Sequence, residues 1–305
     1  MSAPTLRSVP DYGAPGILLL SFSVLLAACE GARPEAKPAP AAANPLVAAR
    51  PYAVHVPAVH EGRAPLLVLM HGYGSDHANV EQHLGVDALA DAHGVYVALP
   101  DGTRDPSGAR FWNASDACCN FHQMPVDDVA YLDAILDDAF AHYPIDPTRV
   151  YVAGFSNGGF MAHRYACERA ERIAAAVSFA GDPWKDASRC KPRVPVSILE
   201  VHGDADDIVP YAGGQVSDRV LPASAKIHPP VFPAVRDGIA MWAHLDGCAD
   251  PARTDDAREE TLVYAPCAAG TEVQLWTRHA QPHVLSWSRA DSERMWGFLA
   301  AHARK

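Results

Sequence analysis

Val150-Tyr151-Val152-Ala153-Gly154-Phe155-Ser156-Asn157-Gly158-Gly159 is the stretch on which the reading of this chain turns. Residues 150–153 are a short apolar run with β character, and Phe160-Met161-Ala162-His163-Arg164-Tyr165 reads as helix. Between them stands Gly-x-Ser-x-Gly. Strand, sharp turn and helix form the context in which that pattern becomes a nucleophile elbow. The turn is tight, so Gly154 and Gly158 keep side chains away where strand and helix nearly collide. Ser156 is then presented at the top of a sheet with its hydroxyl exposed. A serine in a plain glycine-rich turn is the bland alternative, and the signals upstream and downstream weigh against it.

Upstream, Pro65-Leu66-Leu67-Val68-Leu69-Met70 is a continuous apolar run, as expected of a buried central strand. It leads into the glycine-rich loop His71-Gly72-Tyr73-Gly74-Ser75-Asp76. Residues 52–56, 95–99, 174–179, 194–201 and 272–276 read as further strands. Residues 80–93, 235–245 and 290–302 read as helices. Another helix opens at Asp127-Asp128, with Val129, Leu132, Leu136, Phe140 and Tyr143 on one face. The two acids suit a first helical turn. Asp146-Pro147 reads as a turn into the elbow strand. Strands alternating with helices imply an α/β fold, a mostly parallel central sheet with helices on both faces. Ligands on such a sheet sit at the carboxyl ends of its strands.

The ends and the cysteines place the chain in the cell. Residues 17–26 are apolar but for two serines, too short to span a membrane. They end in Leu26-Ala27-Ala28-Cys29, which resembles a bacterial lipobox. Residues 1–28 are therefore expected to be a lipoprotein signal peptide, with Cys29 the lipidated terminus. Residues 29–50, rich in Ala and Pro, read as a tether, and residues 51–305 as one catalytic domain. Export to the envelope, on its periplasmic or surface face, follows, or secretion if Cys29 carries no lipid. Six cysteines remain, and an exported chain can oxidise them. Cys248 and Cys267, flanking a polar loop between a helix and a strand, are the first candidate pair. The adjacent Cys118 and Cys119 are not expected to join each other. No cysteine has zinc-type spacing, so no metal is expected.

Composition narrows the function. A formal net charge of -11 with no basic stripe argues against a nucleic-acid partner. The long loop from Pro100 to Pro125 carries Phe111-Trp112-Asn113, and Trp112 and Trp287 are candidates for lining a substrate pocket.

A serine hydroxyl needs a base, a carboxylate behind the base and donors for the developing oxyanion. The backbone N–H groups of Asn157 and Tyr73 are the candidate donors. Three acids compete in His202-Gly203-Asp204-Ala205-Asp206-Asp207-Ile208-Val209-Pro210. Of the later histidines, His279 and His283 both lie just past the last strand. His283 is the choice for the base and His279 its rival.

These pieces together resemble the polyhydroxybutyrate depolymerase-like esterases, α/β-hydrolases related to feruloyl and acetyl xylan esterases. The resemblance rests on 65–72, Val126-Asp127-Asp128-Val129, Gly154-Phe155-Ser156-Asn157-Gly158-Gly159 and His202-Gly203-x-x-Asp206-x-x-Val209-Pro210-Tyr211. It implies a Ser156, His283 and Asp206 triad, with the acid fixed at Asp206, and no cofactor. The family's Gly-His-x-Trp segment corresponds to Pro282-His283-Val284-Leu285-Ser286-Trp287, without the glycine and with Trp displaced. The implied substrate is a small-molecule or oligomeric ester of a phenolic or short acid. A polyhydroxybutyrate polyester is the second candidate, and a noncatalytic binding lipoprotein the reading from another class. Membrane contact is expected through the lipid anchor alone.

Overall fold

Ala64–Met70 (β2) is buried along its whole length, and the sheet is built outward from it. The computed structural model describes residues 44–304. Cys29, the signal peptide and most of the tether lie outside the described residues.

In chain order the elements around β2 are α1 (Pro45–Ala49), β1 (Ala53–His55), α2 (His77–Leu84), α3 (Val86–His93) and β3 (Tyr96–Leu99). A small ribbon, β4 (Thr103–Arg104) and β5 (Arg110–Phe111), precedes α4 (Asp128–His142). Then come β6 (Ile145–Phe155), α5 (Asn157–Arg169), β7 (Ala175–Phe179), β8 (Ser197–Gly203) and α6 (Val235–Leu245). The chain closes with β9 (Ala252–Asp255), β10 (Glu259–Tyr264), β11 (Val273–Arg278) and α7 (Arg289–Ala300). The main sheet runs β1-β3-β2-β6-β7-β8-β11-β10-β9. The six strands from β3 to β11 are parallel, and the outer strands on both sides are antiparallel.

Side-chain alternation sorts the core into two layers. Leu66, Val68, Val150, Val152 and Ile198 face α4, α5 and α6. Leu67, Leu69, Tyr151, Ala153, Leu199 and Val201 face α2, α3 and α7. Both faces of the sheet are covered, so its central strands are predominantly apolar. Chain order reverses between β3 on one side of β2 and β6 on the other, which opens a crevice at their carboxyl ends.

Several expectations need correction. The helix expected over 80–93 is two helices, because Gly85 adopts φ +59°, which ends α2 and starts α3 at a new angle. Asp146-Pro147 lies within β6, where a register shift absorbs it. The polar loop between Cys248 and Cys267 contains the β9–β10 hairpin, an exposed sheet edge. The fold also begins before Pro51. Arg50 donates to Asp128 at 2.7 Å and its guanidinium lies 3.5 Å from the centre of the Tyr131 ring.

Cys118 and Cys119 are joined to each other, against expectation. That expectation assumed a trans peptide, which turns neighbouring side chains apart. Here the peptide is cis and the Cα atoms lie 3.1 Å apart. Cys167 pairs with Cys190 and Cys248 with Cys267. Disulfides belong to oxidising compartments and point to an extracellular protein. Among the described residues no helix is long and apolar enough to cross a membrane.

Candidate active site

The turn after β6 leaves no room for side chains. A Cβ on Gly154 would lie 2.1 Å from the Gly158 carbonyl oxygen, and one on Gly158 would lie 2.3 Å from that of Met70. Ser156 sits between them at φ 55°, ψ -117°. A residue with a side chain holds such a conformation only where its surroundings impose it, at about 1–3 kcal/mol. Here the Ser156 N–H donates to Phe179 O at 2.7 Å and its carbonyl accepts from Phe160 at 3.0 Å.

The loop after β2 is fixed from below. His71 is fully buried, with Nδ1 directed at Gly72 O at 2.7 Å and Nε2 accepting the Gly102 N–H at 2.9 Å. That pattern requires a neutral ring with its proton on Nδ1, and burial lowers the His71 pKa accordingly. The His71 carbonyl in turn accepts from Trp112 Nε1 at 2.9 Å. Tyr73 follows, its hydroxyl donating to Asp105 at 2.7 Å. Among the described residues neither the Tyr73 N–H nor the Asn157 N–H donates to a protein acceptor. A helix N-terminus at Asn157 adds its dipole to that corner.

The loops after β8 and β11 bring the remaining groups. They meet tightly, since a Cβ on Gly203 would lie 2.1 Å from Gln281 O. Asp206 Oδ1 accepts from the N–H groups of Ile208 and Val209, each at 2.8 Å. Its Oδ2 lies 2.7 Å from His283 Nδ1, and His283 Nε2 lies 2.9 Å from Ser156 Oγ. Burial works to raise the Asp206 pKa, but hydrogen bonds from His202 and His283 outweigh it and hold the carboxyl well below its ordinary range. Ser156 and His283 are 8% and 9% exposed, so both are nearly withdrawn from solvent.

The other acids of the β8 loop are engaged elsewhere. Asp204 pairs with His279 Nδ1 at 2.8 Å, and Asp255 on β9 takes His279 Nε2 at 3.0 Å. Asp207 pairs with Arg219 at 2.7 Å on the surface. The structure therefore brings Ser156, His283 and Asp206 together and leaves His279 outside.

Trp112 does not line a pocket. It is fully buried, and its backbone N–H and carbonyl are both bonded to the side chain of Asn157, at 2.6 and 3.0 Å. Trp287 packs edge-on to Phe179 and donates its indole N–H to Ser292 at 2.9 Å. Of the two acids opening α4, Asp127 caps the helix. Asp128 is buried, accepting from the Asn113 N–H at 2.7 Å and from Arg50. Nothing in its local sequence marks that burial. Among the described residues no cluster of His, Cys, Asp and Glu is arranged to hold a metal ion.

Residues 116–231 match the Phospholipase/Carboxylesterase family. The chain is 31% identical over 274 residues to "Putative esterase NocK" of Nocardia uniformis subsp. tsuyamanensis, covering 79% of this chain and 78% of that one. It is 29% identical over 239 residues to Feruloyl esterase B of Piromyces equi, covering 77% of this chain but 42% of the relative. A shorter match, 34% over 140 residues, is to Poly(3-hydroxyalkanoate) depolymerase C of Paucimonas lemoignei, covering 44% of this chain and 32% of that one. The chain thus spans less than half the length of two of these three relatives. Among solved structures, an acetyl xylan esterase from Aspergillus awamori superposes with a TM-score of 0.57 at 15% identity, over 80% of this chain and 93% of that one. Esterase PE8 gives 0.54 at 18% identity, over 83% and 98%. These structures share the fold, and the similarity to NocK over most of both chains carries the family: the chain belongs to the esterases of the α/β-hydrolase fold.

Proposed function

We propose that this chain hydrolyses carboxylic esters through an acyl-enzyme on Ser156. The supporting observation is the single line of contacts from Asp206 through His283 to Ser156 Oγ. His283 takes the hydroxyl proton at Nε2 as Oγ attacks the ester carbonyl. The Tyr73 and Asn157 N–H groups receive the oxyanion that forms. His283 then returns the proton to the departing alcohol. Water enters the same position, loses a proton to His283 and releases the acid. Asp206 keeps the proton-bearing Nδ1 pointed away from the serine and steadies the imidazolium that forms.

The substrate class proposed is an ester of a phenolic acid or a short acyl group. The match to a feruloyl esterase extends over 77% of this chain, against 44% for the polyester depolymerase. A screen of short-acyl nitrophenyl esters, methyl ferulate and hydroxybutyrate oligomers tests it. Turnover confined to the oligomers would transfer the reading to a depolymerase. Ser156→Ala should fold and lose about a thousandfold or more in kcat/KM on whichever ester is turned over. Near-normal turnover by that variant would end the acyl-serine mechanism.

Attachment to a membrane through lipid on Cys29 is the proposed location. Cys29→Ser should then lose fatty-acid labelling and leave the membrane fraction of the native host. Undiminished labelling would remove Cys29 from consideration.

A further inference from the structure

Behind Asp206 lies a second set of polar side chains, inside the core face of the sheet. Glu200 and His202 alternate along β8 toward α5 and α6, where apolar residues are the rule, and both are essentially without solvent exposure. Buried charges persist only when paired and hydrogen-bonded. Here every contact has an assignable direction. Trp242 Nε1 on α6 is a donor only, and it lies 3.0 Å from His163 Nδ1. His163 Nδ1 must therefore accept, which puts the His163 proton on Nε2, 3.2 Å from Glu200 Oε2. Glu200 Oε1 lies 3.0 Å from His202 Nδ1. His202 Nε2 faces two acceptors, Val209 O at 2.9 Å and Asp206 Oδ2 at 3.3 Å, so it must carry a hydrogen. Asp206 Oδ2 is the oxygen that also takes His283 Nδ1.

The contacts form one line from α6 to the nucleophile: Trp242, His163, Glu200, His202, Asp206, His283 and Ser156. We propose that Glu200 and His202 are positioning residues for Asp206, a buried pair with no net charge whose own proton keeps an N–H of His202 permanently aimed at Asp206 Oδ2. This role rests on the acyl-serine reading above.

The surroundings agree. Burial alone would lower the His202 pKa, but hydrogen bonds to Asp206 and Glu200 and the charge of Glu200 raise it to about 10. Asp182, on the loop after β7, is fully buried with Oδ2 unpartnered. Burial, helped by the neighbouring Glu200 and Asp206 and opposed by His202, pushes its pKa well up. Tyr211 meets the His202 ring edge-on and gives its hydroxyl to contact with Thr277, within charge range of Arg236 and Glu260. With Glu200 balanced by His202, the carboxylate that faces His283 is that of Asp206. A surplus charge here would alter the basicity of His283, so the neutrality of the pair bears on the reaction.

Two measurements test this on the full chain. In histidine-¹⁵N NMR of the wild type, both ring nitrogens of His202 should stay protonated from about pH 5 to 9. In Glu200→Gln the amide oxygen must accept from His163, so its NH₂ turns to His202 Nδ1. That nitrogen should then appear unprotonated while Nε2 keeps its hydrogen, and kcat should fall about threefold. His202→Gln leaves the Glu200 carboxylate uncompensated near His283. Its kcat should drop about tenfold or more with KM nearly unchanged, and the acid limb of kcat/KM should move up by about half a pH unit or more. The double variant Glu200→Gln/His202→Gln should bring that limb back. An acid limb left at its wild-type position in His202→Gln, or an unprotonated His202 Nδ1 in the wild type at neutral pH, overturns the proposal. If His202→Gln does not accumulate folded, the NMR comparison of wild type and Glu200→Gln decides alone. Failure of the acyl-serine reading is seen separately, as activity retained by Ser156→Ala, and leaves the NMR result standing.

Discussion

Two aspartate–histidine pairs tie the loop after β8 to the loop after β11, Asp204 with His279 and Asp206 with His283. They share donor and acceptor types and nearly the same distances, 2.8 and 2.7 Å. What separates them is the second nitrogen and the water. His279 has a carboxylate at each nitrogen and stands at the surface beside the β9 edge. Both contacts favour its charged form, and its pKa is raised, first by Asp204 and then by Asp255. Neither nitrogen is left for a substrate. His283 has a carboxylate at one nitrogen and a hydroxyl at the other, almost out of water. An Asp–His contact alone is therefore a poor sign of a catalytic base; the partner of the far nitrogen is the informative one.

The sharpest way to break this contrast is to remove each imidazole. His283→Ala should lower kcat/KM by about a thousandfold or more, and His279→Ala by about threefold or less, measured on the same ester. The reverse order would move the base to His279 and dismantle the geometry described for Ser156. Next come the acids. Asp206→Asn should cost about a hundredfold or more, because an amide neither supports an imidazolium nor enforces the Nδ1–H tautomer. Asp204→Asn and Asp207→Asn should each stay within a few-fold. Comparable losses in all three would mean that the loop, and not one carboxylate, is what matters.

The smallest effect concerns stability, and it contrasts Asp206 with a buried acid that lacks a cation. Asp246 accepts from Thr271 and the Val196 N–H at 2.9 and 3.1 Å, but among the described residues no histidine or arginine pairs with it. Burial pushes its pKa up to about 6, against those two hydrogen bonds. The signs are opposite. Asp206, lowered on folding, contributes stability above its unfolded pKa that is lost as pH falls. Asp246, raised on folding, contributes relative stability at low pH that is lost as pH rises from about 4 to about 6, by about 3 kcal/mol. Urea unfolding of wild type and Asp246→Asn across that window should show the variant gaining on the wild type as pH rises. Parallel curves would deny that Asp246 titrates differently in the two states.

Much of this was legible in the residues. Apolar runs at 66–70 and 150–153 mark central strands because both faces of the sheet are covered. The glycines around Ser156 are required by contacts near 2 Å, and the spacing of acids after His202 singles out Asp206 once the motif is matched. The capture of His279 was not legible. It depends on Asp255, on a strand exposed along its whole length, where no alternation of apolar and polar residues signals pairing. Glu200 and His202 were hidden for the opposite reason. Polar residues at alternate strand positions normally face water, and only the packing of α5 and α6 shows that these face the core. Trp112 reads as an aromatic in a functional loop. Its burial follows from Asn157, 45 residues away.

That contact between Asn157 and Trp112 bears on how this enzyme can be remade. The position after the nucleophile offers the reaction only its N–H, so it looks free to vary in a library. Its side chain, however, accepts from and donates to one backbone residue of the 100–125 segment at once, a match that aspartate or leucine cannot reproduce. A segment transplanted here from a related esterase will seat correctly only if position 157 travels with it. The two are one exchangeable module, although the chain keeps them far apart.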